Sequence, residues 1–193
     1  MPFNGLIIGS KKINQMLSNI LLTCKTEWIK AKTKRNHPFR YFVLGTVNSK
    51  GNPELRTVVL RNFDSTENLF TIFTDSRTKK IIDLTENSSA ELLFYDHRKL
   101  TQIRVKVNCI SIEESEKDFI QQSPNAQKDY TSVSSPGTIL KSMDDVMYSE
   151  FNYFRKLIFK PYQIEYLRLM RPNHQRAVFN LKNEEWIGNF ITP

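Results

Sequence analysis

The stretch RTVVLRNF, residues 56–63, sets the interior of a β-strand between two arginines. Val58, Val59 and Leu60 are residues of a buried sheet, and Arg56 and Arg61 bracket them five positions apart. Side chains alternate faces along a strand, so this odd spacing sends the two cations to opposite sides unless the chain bulges between them. The neighbouring segments keep the β pattern. RYFVLGTV (40–47), the turn NSKGNP and ELRTVVLRNF (54–63) read as a hairpin. LFTIFT (69–74), SAELLFYD (89–96) and LTQIRVKVNCISI (100–112) read as further strands. The C-terminal part predicts strands near 153–160, 162–169, 176–181 and 185–191.

Helices are few. Over residues 10–34, Ile13, Leu17, Ile20, Cys24, Trp28 and Ala31 recur at spacings of three and four, which predicts one amphipathic helix capped by Ser10. A second, SRTKKIIDLTEN (76–87), would bury Ile81, Ile82 and Leu84. Residues 113–150 are polar and read as a short helix near 113–122 followed by a loop. Short strands, frequent turns and peripheral helices predict a mainly β protein, an antiparallel barrel or closed sheet, as one domain over 1–193.

With 39% hydrophobic and 25% charged residues, the composition is that of a globular protein, and no run approaches a membrane span. The N-terminus lacks a basic leader and a small-residue cleavage site, so a cytoplasmic protein is expected. Cys24 and Cys109 lie far apart in apolar segments and are expected to be reduced core residues. The net charge of +8 favours anionic partners, whether nucleic acid, anionic membrane or phosphorylated small molecules. The sequence holds no dinucleotide or P-loop glycine spacing, no nucleophile elbow and no His at metal-ligand spacing. Any chemistry here is expected to borrow a cofactor, and no metal site is expected.

Around Ser76 the charges are anomalous. Arg77, Lys79 and Lys80 crowd a helix start, where free N–H groups and the helix dipole already favour anions. A phosphate among the Ser76 and Thr78 hydroxyls and these cations would explain them; a solvated basic face is the plainer account of the segment taken alone. In TQIRVKV (101–107), Gln102, Arg104 and Lys106 share one face, and NHQRAVF places His174 and Arg176 on one face.

Taken in order, RTVVLRNF, FTDSRTKK, TQIRV and the C-terminal IEYL, HQR and ITP resemble pyridoxamine 5'-phosphate oxidase and its relatives, the FMN-binding split barrels. The resemblance covers roughly 38–112 and 160–193. It implies a six-stranded antiparallel split β-barrel and a homodimer with FMN in clefts between the subunits. On this resemblance Arg56 and Arg61 are the basic pair of the strand motif, with Thr57 and Val58 between them at the cofactor. Phe73 and Thr74 touch the flavin, across a segment two residues shorter than in the family. Ser76 and Arg77 bind the phosphate; Thr78 stands where the family has lysine, leaving Lys79 or Lys80 to supply that charge. Gln102 hydrogen-bonds the ring, Arg176 lies near it, and either Tyr166 or Leu167 is the aromatic partner's equivalent.

The substrate side departs from the family. Phe119, Ser123 and Gln127 stand where the oxidase holds its substrate phosphate with Tyr, Arg and Ser, and Pro172 replaces an arginine two before His174. Each lost charged hydrogen bond removes about 1.5–3 kcal/mol, so a substrate other than pyridoxamine phosphate is expected. The leading expectation is therefore an FMN-dependent oxidoreductase with His174 and Arg176 as catalytic candidates. The alternatives are a basic β-barrel that binds nucleic acid, for which the mostly core-facing aromatics are a poor fit, and a flavin carrier or sensor without turnover.

Overall fold

The computed structural model describes residues 3–193, with side chains from residue 11 onward. The helix α1 (Phe3–Thr33) opens the chain and is followed by the strands β1 (Tyr41–Val47), β2 (Pro53–Val59), β3 (Asn62–Asp64) and β4 (Leu69–Asp75). The helix α2 (Lys79–Glu86) leads into β5 (Ser89–Asp96) and β6 (Thr101–Glu113). Two short helices, α3 (Glu116–Ile120) and α4 (Pro124–Lys128), precede β7 (Phe154–Arg168), β8 (Gln175–Lys182) and β9 (Glu185–Phe190). All strand pairs are antiparallel, in the order β2-β1-β5-β6-β7-β4-β3, with the β8–β9 hairpin added to β7.

The mainly β architecture with peripheral helices is as expected, but the sheet is not closed and has nine strands instead of six. One reason lies in the opening stretch. The strand containing Arg56 stops at Val59, and Leu60 and Arg61 form a corner at which the chain changes partners. The Leu60 amide donates to Arg40 beside β1, while the Arg61 amide donates to Thr71 of β4. Alternation therefore does not run from Arg56 to Arg61. The two expected strands at 153–160 and 162–169 are one continuous β7, which pairs with β4, β6 and β8.

α1 begins at Phe3, so Ser10 lies inside it and caps nothing. Leu17, Ile20, Cys24, Trp28 and Ala31 of its apolar face are buried, as the spacing predicts, but Ile13 is exposed, because the sheet covers the helix only from Leu17 onward. Trp28 packs edge-on against Phe70 and is tilted against Phe63 and Phe94, with centroids 4.9, 5.2 and 5.7 Å away. Glu27, one residue before, ties the helix to the β5–β6 turn through Lys99 and also pairs with Lys30 and His37. Burial pushes its carboxyl up, but hydrogen bonds and charges from Lys99 and Lys30 outweigh that and hold it at about 2.

α2 also differs from expectation. Its N-cap is Thr78, so Ser76 and Arg77 belong to the preceding turn, and only Lys79 and Lys80 occupy the first turn. Ile82 is exposed, whereas Asp83 and Leu84 are buried. The polar segment 113–153 has a small apolar cluster of its own. Phe119, Tyr130 and Phe73 pack around Phe154 at 5.8, 5.0 and 4.7 Å, covering the outer face of β4. Among the described residues, no helix is long and apolar enough to cross a membrane.

Candidate functional site

Arg56 lies opposite Leu44 in the register, and Leu44 is fully buried, so its side chain turns to the inner, α2-facing side of the β1–β2 hairpin. There its guanidinium donates to the Thr46 hydroxyl at 2.6 Å and lies 3.5 Å from the Asp83 carboxylate. Thr46 also donates to Asp83, at 2.7 Å. Lys80 enters from the first turn of α2 and donates to the Thr74 hydroxyl at 2.9 Å. Among the described residues no carboxylate lies within ion-pair distance of its ammonium. Burial, with the nearby Arg56 charge adding to it, lowers Lys80 to about 8. Arg56 thus faces the Asp83 carboxylate, while Asp75 and Asp83 act on Lys80 only from beyond ion-pair distance.

Arg77 is otherwise committed. It forms a fork with Asp75 at 2.7 Å, donates to the Ser132 and Val133 carbonyls, and stacks on Tyr153 with its guanidinium carbon 3.4 Å from the ring centroid. Asp75 raises its pKa further. Its evident work is to anchor the neck of the 130–153 segment. The Thr78 hydroxyl is likewise bonded to the Asp75 carbonyl. Lys79 is exposed, so Lys80 is the lysine that enters the cluster. Val58 is half-buried beside the core, and Thr57 points to the outer side and is exposed. Arg61, past the corner, lies over Phe73 at 5.4 Å, and its Nε is buried without a partner.

The remaining candidates occupy the outer face. Ile103 and Val105 are buried, so Gln102 and Arg104 point outward. Tyr95, Gln102, Leu167 and Arg176 lie directly opposite one another across β5, β6, β7 and β8. Of the pair at 166/167, Tyr166 is buried with Ile164, and Leu167 shares the outer row. Charges of alternating sign link neighbouring positions of this face. Arg104 bridges Glu91 (2.6 Å) and Glu165 (3.7 Å), and Glu165 holds Arg176 at 2.8 Å. His174 is exposed; its Nδ1 accepts the Met170 amide and closes the β7–β8 loop. No hydrogen bond or ion pair among the described residues links this face to the Arg56–Lys80 cluster.

Residues 23–113 match the family model described as pyridoxamine 5'-phosphate oxidase, FMN-binding domain. The match covers just under half of the chain, and over it the chain is similar to the pyridoxamine 5'-phosphate oxidase-like, FMN-binding family. It is 36% identical over 94 residues to the pyridoxine/pyridoxamine 5'-phosphate oxidase of Acinetobacter baumannii, a match covering 48% of this chain and 42% of that protein. The match thus spans about two fifths of the relative's length. With the oxidase of Acinetobacter baylyi it is 29% identical over 169 residues, covering 78% of this chain and 76% of that one. In fold it is similar to a pyridoxamine 5'-phosphate oxidase-related, FMN-binding protein of Nostoc punctiforme, with TM-score 0.69, 21% identity and coverage of 100% and 98%.

FMN is this family's cofactor, and the inner cluster fits its phosphate. The observation that decides the fit is a surplus of positive charge: Arg56 faces Asp83, Asp75 is taken by Arg77, and Lys80 reaches only the Thr74 hydroxyl, with no carboxylate among the described residues within ion-pair distance. A bound dianion would offset the positive field of Arg56, which adds to burial in lowering Lys80. Sequence reasoning did not single out Thr46, Asp83, Tyr95 or Glu165. The signal for the first two was weak: a Thr on a buried strand, and an acid three residues beyond Lys80 on one helix face.

Proposed function

We propose that this protein is an FMN-dependent oxidoreductase that works as a homodimer on a substrate other than pyridoxamine 5'-phosphate. The observation that carries it is the half-buried Arg56–Lys80 pair, a preformed cradle for a phosphate beside Thr74. Arg56, Lys80 and the free amides opening α2 would hold the FMN phosphate, with Thr74 alongside, whereas Phe73 faces the other side of β4. FMN when bound supplies hydride transfer. Gln102, Leu167 and Arg176 would present one hydrogen-bonding group, one apolar contact and one cation to the ring. Arg176 is kept in place by Glu165.

Face geometry supports the homodimer reading. Arg56 is on the inner side of the sheet, and Gln102 and Arg176 are on the outer side, so one copy does not close both halves around one ligand. A second copy supplies the missing half. Tyr41, Val47, Leu55 and Tyr95 leave an apolar outer surface, with Leu55 71% exposed, that such a contact would cover. Substitution of Arg56 by Gln in one preparation and Arg176 by Gln in another should each lower FMN occupancy. Unfolding and reassembling an equal mixture of the two should regenerate about a quarter of the wild-type sites, all in mixed dimers. No recovery would show that both residues serve sites within one copy, or none at all.

The direct test is colour. Purified protein is expected to be yellow, to release FMN on denaturation, and to show flavin reduction in a screen of B6 vitamers and reduced nicotinamides. Bound FMN with no turnover across the screen would make it a carrier. Colourless protein that ignores FMN and binds oligonucleotide with a steep salt dependence would replace the flavin assignment with nucleic-acid binding.

A pH signature belongs to Lys80. Its folded-state pKa is depressed to about 8, so below that pH the ammonium is present for the phosphate, and above it the group loses its proton. FMN affinity is expected to be flat below pH 8 and to weaken as pH rises through it. Lys80→Met should remove the step and leave a uniformly weaker Kd; an unchanged step in that variant would assign the titration to another group.

A further inference from the structure

A cavity of 470 Å³ opens beside Phe73 on the outer face of β3, β4 and β7, on the opposite side of β4 from the Thr74 hydroxyl, and α3 forms its far wall. It is large enough for a ring-sized molecule. Leu69, Phe73 and Ile158 give it apolar surface; Gln121 and Gln122 give it carboxamides. The charges on its wall are nearly all committed. Arg40 donates to the Ala31 and Lys32 carbonyls at the end of α1. Lys156 lies between Glu113 at 3.2 Å and Asp118 at 3.3 Å. Asp64 accepts the Thr66 and Glu67 amides.

Arg61 is the exception. Among the described residues no carboxylate lies within 4 Å of its guanidinium and its Nε is buried without a partner; Phe73 lies beneath it, and the Tyr130 hydroxyl is within hydrogen-bonding reach of it. A half-buried cation in this state is poised for one negative charge from a ligand. The positions where the oxidases hold a substrate phosphate are spent on structure. Phe119 packs on Phe154. The Ser123 hydroxyl accepts the Ala126 amide at the start of α4. Gln127 donates to the Phe119, Ile120 and Gln122 carbonyls.

We propose that this cavity receives the substrate as an organic monocarboxylate, with the Arg61 guanidinium as the partner of its carboxylate, and that it discriminates against phosphate esters. The proposal deepens the flavin reading above and rests on it for the word substrate. A guanidinium pairs a carboxylate through two parallel N–H···O bonds and balances its single charge. A phosphate dianion would bring a second charge beside Asp118 and Asp64, where Lys156 is already shared between two acids.

Benzoate and phenyl phosphate, which differ in the anion and share the ring, separate the two cases. The FMN-loaded protein is titrated with each by calorimetry and by the flavin absorbance difference spectrum. Benzoate is expected to bind at least tenfold more tightly and to perturb the flavin bands. Arg61→Gln should abolish its binding and Arg61→Lys should retain part of it, while Gln121→Glu, which adds a repelling charge at the wall, should weaken it about tenfold. Thermal melts of each variant confirm folding. Phenyl phosphate binding as tightly as benzoate, or benzoate binding that ignores all three substitutions, would overturn the proposal. If the protein takes up no FMN, the flavin reading fails first, and calorimetry on the protein as purified still decides the cavity. Arg61-dependent benzoate heat there upholds the carboxylate site, and absence of heat removes it.

Discussion

Arg56→Gln is expected to weaken FMN binding about 10- to 150-fold, the range for losing one charged hydrogen bond of about 1.5–3 kcal/mol. Lys80→Met should fall in the same range. The double variant is expected to lose less than the sum of the two, because both cations address one phosphate and share one local field. Three causes would otherwise be confused: loss of the anion site, loss of fold, and loss of the dimer. Arg56 also faces Asp83, which keeps its Thr46 hydrogen bond in the variant, so the fold is expected to survive with a modest penalty. Fluorescence titration of free FMN against each folded variant reads the affinity, and riboflavin is the control ligand. Riboflavin lacks the phosphate, so wild type and variants should bind it equally weakly. Equal losses for FMN and riboflavin would place Arg56 elsewhere on the cofactor and remove the phosphate assignment. Arg77→Gln is the contrasting case. Its guanidinium is occupied by Asp75, Tyr153 and the Ser132 and Val133 carbonyls, so the change should loosen the 130–153 segment more than it weakens phosphate binding.

The contrast between Lys80 and Arg77 shows what the sequence could and could not say. Strand positions were legible because alternation of Ile103, Val105 and Val107 with Gln102, Arg104 and Lys106 is a direct image of burial. The sequence left Tyr166 and Leu167 open, and only the burial of Tyr166 beside Ile164 puts Leu167 on the outer face. Alternation failed at 60–61, because a corner is made by hydrogen bonds to two different strands, and neither partner is near in sequence. The basic cluster was legible as a cluster, but not the division of labour within it. Arg77 is claimed by carbonyls more than 50 positions away, and Lys80 owes its lowered pKa to Arg56 on another element as well as to burial. The segment 113–150 looked idle because Phe119, Tyr130 and Phe154 follow no regular period. Their cluster is closed by Phe73 of β4, and the cavity beside Arg61 exists because α3 is held over that face.

Trp28→Ala is expected to cost about 3–5 kcal/mol of stability, the largest single loss in the fold. Trp28 is 1% exposed and meets three phenylalanines: Phe63 from β3, Phe70 from β4 and Phe94 from β5. It therefore joins α1 to β3 and β4 at one end of the sheet order and to β5, third from the other end, and the sheet itself is not closed by hydrogen bonds. Its indole N–H is buried and has no partner, so Trp28 contributes by volume and shape alone, against a desolvation cost. Trp28→Phe separates these effects: it keeps most of the ring packing and removes the unpaired donor. That variant should lie within about 1.5 kcal/mol of wild type. In urea unfolding, Trp28→Ala should shift the midpoint strongly with the slope m unchanged, and lower Tm by roughly 6–20 °C for a chain of this size. A loss below about 1 kcal/mol would mean that α1 packs on the sheet without closing it, because a filled core position cannot lose an indole at so small a cost. FMN affinity measured on the folded fraction should be nearly unchanged, since Trp28 belongs to the apolar core, while the phosphate cradle is built from the polar side chains Arg56, Thr46, Asp83, Thr74 and Lys80.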